Sequence, residues 1–173
     1  MNAIKLQEAR TLEILLSANL VDVTDVVAWA DRNILEVDQP EHVFLELAVL
    51  GQEDWLRCLD MLRWISEDRG VPDLLLGVFA RAAEVESDVW RPVSSFMWRR
   101  FHAIDFDEKP PWHELSIAGL MVIEEDHGYP YYDMRKAELQ SRMCLEKYLR
   151  VDTSGLGLSA DALAAALKQQ YFR

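Results

Sequence analysis

The sequence predicts an all-α fold of about eight or nine helices, arranged as a multi-helix bundle or a short array of helical hairpins. Three observations predict it. Apolar residues recur at three- and four-residue spacing along almost the whole chain. Leu, Ala, Glu and Arg dominate, while Gly and Pro number only 7 and 6 among 173 residues, which favours helices over a sheet. No segment alternates apolar and polar side chains for long enough to make a strand.

The first stripe is Ile4, Leu6, Ala9, Leu12, Leu15, Leu16 and Leu20, with Glu8 and Glu13 lying off it. Thr24 is a good N-cap for a second helix, with Asp25 in its first turn and Val26, Val27, Trp29, Ala30 and Ile34 on its inner face. Asp38-Gln39-Pro40 breaks the chain, and Pro40 can open a third helix over 41–50 that stops at Gly51. The fourth, 53–68, is the clearest: Trp55, Cys58, Leu59, Leu62 and Ile65 share one face. Glu53, Arg57, Asp60, Arg63 and Glu67 share the other, with Gly70 as the stop.

A fifth helix spans 72–85 with Leu75, Val78, Phe79 and Ala82 inward. Ser87 or Pro92 opens a sixth, carrying Val93, Phe96, Met97, Arg100 and Phe101. The stretch 105–112 is the longest break and the best candidate for a functional loop. Helices over 114–125 and 131–150 follow, separated by 126–130. The run 151–159, with Gly155 and Gly157, reads as a flexible connection, and Ser159 caps a last helix over 160–171.

Length points to one domain, 1–173, whose charge is lopsided. Residues 1–90 hold 18 of the 30 acids but 7 of the 18 bases, a net of −11, whereas 91–173 carry a net of −1. Such a field repels nucleic acid and anionic lipid and steers basic protein surfaces inward. Cys58 and Cys144, without a CxxC spacing, read as buried hydrophobes in a reducing cytosol rather than a disulfide. Neither a signal-peptide core near Met1 nor an apolar run of ~20 residues is evident, so the expectation is a cytoplasmic chain with no membrane partner.

Chemical motifs are sparse, so no enzyme, metal or cofactor is expected. Glu124 and His127 have the i,i+3 spacing of metal ligands, with Glu125 and Asp126 between them and His113-Glu114 upstream. A small hydrolase or metal-dependent enzyme built on this cluster is the alternative from another class. It lacks a companion ExxH or HExxH motif. No GxSxG elbow occurs, and Gly155-Leu156-Gly157 has neither the lysine nor the preceding strand of a phosphate loop.

Binding therefore outweighs catalysis. Asp31, Asp38, Glu41, Glu53, Asp54 and Asp60 fall on predicted outer faces and turns, and their excess over local bases exceeds what solubility needs. Trp98 and Arg99 fall away from the Val93, Met97, Phe101 stripe and have the composition of an interface hot spot, or pack under a neighbouring helix. These eight residues are the expected partner-binding set.

Ala28-Trp29-Ala30-Asp31, then Asp38-Gln39-Pro40, then Leu45-Glu46-Leu47-Ala48 resembles a pattern in helical immunity proteins of bacterial polymorphic-toxin systems. The resemblance covers about the first 50 residues. It implies a protein that binds and blocks a cognate toxin domain in the cytosol, with no catalytic residues to carry over; the acidic field makes a basic toxin the expected partner and excludes nucleic acid. A helical adaptor of repeat type is the further alternative.

Overall fold

The structure is a computed structural model that describes residues 3–66, 70–102, 109–128 and 132–171. Among these the chain is all-helical, with nine α-helices and no strand. They are α1 (Ala3–Ser17), α2 (Val23–Leu35), α3 (His42–Leu47), α4 (Trp55–Ser66), α5 (Asp73–Val85), α6 (Trp90–Phe101), α7 (His113–Asp126), α8 (Met134–Glu146) and α9 (Ala160–Tyr171). Single 3-10 turns lie at Gln52–Asp54 and Ser154–Leu156. Glu67, the candidate loop residues 105–108 and Tyr131 lie outside the described residues. The helices group into two compact units: residues 1–75 with 151–159, and residues 76–150 with 160–173.

In the first unit α1 packs along α4 and touches the Ser154–Leu156 turn. It is enclosed on more than one side, so Glu8 and Glu13, expected off the apolar stripe, are buried along with Leu12, Ile14, Leu15 and Leu16. Each buried carboxylate has partners, as burial of a charge requires. Glu8 accepts a hydrogen bond from Trp29 Nε1 at 2.8 Å and has Lys5 Nζ at 3.3 Å. Glu13 pairs with Arg10 and accepts from Arg63 Nε at 3.2 Å. Arg63 thus serves the core of its unit and does more than decorate an outer face.

Asn19 takes a left-handed backbone (φ 52°) where α1 ends, and the Leu20 N–H reaches back to the Leu15 carbonyl at 2.9 Å. The cap of α2 is Asp22 rather than Thr24: its carboxylate accepts the N–H groups of Thr24 and Asp25, and Asp25 returns the favour to the Asp22 N–H at 3.0 Å. The Thr24 hydroxyl foremost, then these backbone donors, holds the Asp22 carboxyl below its ordinary value against the opposing effect of burial. Asp22→Ala is expected to cost about 1 kcal/mol in urea unfolding. Because the folded pKa is the lower one, that contribution is complete above the ordinary carboxylate range. It fades as pH falls through the folded value, and the wild-type and variant midpoints should converge there.

The third helix is shorter than its apolar pattern, six residues, with Glu41 at its N-cap and Pro40 outside it. The start of the predicted fourth helix winds as the 3-10 turn Gln52–Asp54, where Asp54 accepts the Gly51 N–H at 2.9 Å. The run 151–159 is no free tether: Arg32 Nη2 donates to the Leu156 carbonyl at 2.5 Å, and Gly157 (φ 60°) sits against the same guanidinium.

In the second unit α6 is central, packed on α7, α8 and α9. Val89 precedes α6, so neither Ser87 nor Pro92 opens it; Pro92 lies in the first turn, where a missing N–H breaks no intrahelical bond. Phe96 meets Phe79 of α5 edge-on at 5.1 Å and Tyr171 of α9 at 5.8 Å. The buried hydroxyls of Ser94 and Ser141 bond at 3.0 Å. Asp133 caps α8, which ends at Glu146, short of the expected 150.

Candidate functional site

The first unit concentrates the charge: it holds 16 acids and 6 bases, a net of −10, against −2 in the second. Within it, α3 and α4 lie side by side and bound an open groove of about 620 Å³. His42, Val43 and Glu46 line it from α3, and Arg57, Asp60, Met61 and Trp64 from α4. Glu46 is held at 2.8 Å by His42 Nδ1 one turn away on α3, and Arg57 of α4 lies 3.7 Å from it, so the second contact joins the two helices. Trp64 is 72% exposed. Leu45 on α3, Val49 just after it and Leu56 at the start of α4 are exposed as well, outside the groove's lining. Large apolar side chains standing in water beside unbalanced carboxylates form a surface suited to binding.

The expected partner-binding residues divide between the units. Asp31 is exposed on α2, Asp38 in the connection after it, Glu41 before α3, Glu53 in the 3-10 turn and Asp60 on α4. Asp54 is half-buried and engaged by the Gly51 N–H. Only Asp60 of the eight lines the groove. In the second unit, Trp98 is half-buried and stacked on His102 (ring centroids 4.8 Å apart), while the exposed Arg99 lies over the Tyr171 ring at 5.7 Å.

Trp64, Met61 and Val43 were missing from the expected set. A signal for Trp64 was present: residues 56, 60 and 64 follow i,i+4 spacing on the face of α4 opposite Cys58, Leu62 and Ile65.

The Glu124–His127 cluster disperses its side chains. Glu125 pairs with Arg91 at 2.8 Å, and His127 Nδ1 lies 2.6 Å from the Ile123 carbonyl. Glu124 bonds the Tyr132 hydroxyl, which raises the Tyr132 pKa. Among the described residues no three His, Cys, Asp or Glu side chains stand close enough to hold a metal ion.

Cys58 and Cys144 are free and buried. Burial, and then the Asp54 carboxylate, pushes the Cys58 thiol up to about 11; burial is the main cause of a raised value at Cys144. A thiol of pKa near 11 is ionised to only about one part in a thousand at pH 8. Both should therefore react slowly with a chromogenic disulfide in the folded protein and quickly once urea unfolds it. Rapid reaction of either in the native state would contradict this placement.

Among the described residues, no helix is long and apolar enough to cross a membrane. No known family profile matches the chain, and no solved structure does. Two curated plant proteins are similar over a 72-residue stretch: the chloroplastic pentatricopeptide repeat-containing protein PPR5 homolog of Oryza sativa subsp. japonica, 33% identical, and the chloroplastic PPR5 of Zea mays, 34% identical. The stretch is 38% of this chain, and it spans only 14% of each relative.

That similarity is to repeat-containing proteins and not to toxin-immunity proteins. It overturns the immunity reading, its cognate toxin partner and its exclusion of nucleic acid. The structure supplies a reason for the misleading resemblance. Trp29 of the quoted pattern is fully buried, bonded to Glu8 and edge-on to Phe44 at 5.3 Å, and Leu47 is buried too. The pattern describes how a helix pair packs, which any helical protein can share.

Proposed function

We propose that the chain is a helical adaptor of repeat type, which binds a protein partner at the α3–α4 face of its acidic unit and catalyses no reaction of its own. One observation carries the reading: Trp64 stands exposed in the α3–α4 groove, and Leu45, Val49 and Leu56, which lie outside its lining on and beside the same two helices, are exposed too, in a unit of net charge −10. Apolar anchors within an acidic field favour a partner segment that is basic and amphipathic, because the field speeds encounter and the anchors slow release. Asp31, Asp38, Glu41, Glu53 and Asp54 contribute to that field. Two free, buried thiols support a reducing compartment such as the cytoplasm as its place of action.

RNA binding is the second reading, favoured by the similarity to pentatricopeptide repeat proteins, a class of helical repeat that reads about one base per repeat. The second unit, with 12 of the 18 basic side chains, would then be the better place for a phosphate backbone.

One experiment separates the two. The tagged chain and its Val49→Glu/Leu56→Glu variant are purified from the source cell, with and without ribonuclease, and the co-purifying proteins are quantified. The adaptor reading expects a defined protein that resists ribonuclease and falls at least about tenfold in the variant, the effect of losing a hot-spot contact. Equal recovery by both chains, or loss on ribonuclease treatment, overturns it.

A further inference from the structure

We propose that Asp60 and Trp64 form a docking point for an arginine side chain of the partner, the guanidinium lying on the indole face while it pairs with the carboxylate. This rests on the adaptor reading and gives it a chemistry. The two residues stand one turn apart on α4, a spacing that sets neighbouring side chains ~6 Å apart on one helix face. Both are open to solvent, Asp60 at 75% and Trp64 at 72%. Both line the same groove.

Asp60 keeps acceptor capacity. Its one ion-pair partner among the described residues, Arg63, is at 3.6 Å, beyond hydrogen-bond length, and Arg63 Nε bonds the buried Glu13 at 3.2 Å. The planar guanidinium suits the pair better than a lysine ammonium does. It can stack on an indole and bond a carboxylate in one geometry. Met61 and Val43, in the same lining, offer apolar contact to the arginine stem, while Glu46 on the α3 side is already paired with His42 and offsets the charge of Arg57, which leaves Asp60 as the acceptor for the incoming guanidinium. An RNA base could also stack on Trp64, but Asp60 and Glu46 would then face its phosphates.

The probe is a fluorescein-labelled nine-residue peptide of alternating leucine and arginine, with its citrulline counterpart, followed by anisotropy against the full chain. The arginine peptide is expected to bind and the citrulline peptide, equal in shape but uncharged, to lose most of that affinity. Asp60→Asn and Trp64→Ala should each weaken binding about tenfold. Asp73→Asn, an exposed acid outside the groove, should change it less than twofold. Equal losses in the Asp60 and Asp73 variants would overturn the proposal in favour of a diffuse field. So would an undiminished Trp64→Ala, absence of arginine-peptide binding, or a nine-residue oligouridylate that binds in a Trp64-dependent manner. If the peptide fails while Val49→Glu/Leu56→Glu still releases the cellular partner, the arginine contact is wrong and the adaptor reading stands.

Discussion

Gly119→Ala is expected to destabilise the second unit by about 3 kcal/mol, although helix propensity alone would favour alanine by up to about 1 kcal/mol. The close approach of α7 to α6 decides the sign. A Cβ at position 119 would fall 1.9 Å from the Ser94 carbonyl oxygen and 2.9 Å from Trp98 Cβ. The first of these is backbone and cannot rotate aside, so the helices must separate. Separation would disturb α6 where Ser94 also bonds Ser141 of α8. Gly128→Ala is the control. Its backbone is left-handed (φ 84°) but nothing lies within 4 Å, so only about 1 kcal/mol of conformational strain is expected. Urea unfolding of both variants measures the difference, and a Gly119→Ala change below 1 kcal/mol would contradict the packing described.

Trp29→Ala is expected to cost the first unit about 4 kcal/mol, because two losses coincide. The indole is fully buried against Phe44, so truncation leaves a cavity. Its Nε1–H is also a donor to the buried Glu8 carboxylate, which would keep its ion pair with Lys5 at 3.3 Å but lose that hydrogen bond. Trp29→Phe separates the two: it keeps most of the ring and deletes the donor, at about 2 kcal/mol. Equal stability of the Phe variant and the wild type would show that the hydrogen bond to Glu8 contributes nothing.

The helical fold was legible because its evidence is periodic. The inner face of α4, Cys58, Leu59, Leu62 and Ile65, is buried as its spacing predicts. Ends were harder to read. Thr24 and Asp22 are both capping residues by type, and only the three-dimensional turn places Asp22 at the N-cap. Glu8 and Glu13 were misplaced for a different reason: a helix enclosed by neighbours buries its polar flank too, and charge is tolerated there when partners arrive from α2 and α4. The groove was only half legible. Asp60 could be assigned to an outer face from its spacing, but the lining by His42, Val43 and Trp64 depends on how α3 and α4 meet, and that is a tertiary fact.

The central claim is that the α3–α4 face binds a protein, and cross-linking from that face in living cells tests it most directly. A photoreactive benzoylphenylalanine replaces Trp64 in one strain and Leu139, exposed on α8, in another. The Trp64 position is predicted to yield one discrete protein adduct that the Leu139 position does not. An adduct with RNA alone at position 64, or the same protein pattern from both positions, would contradict the claim.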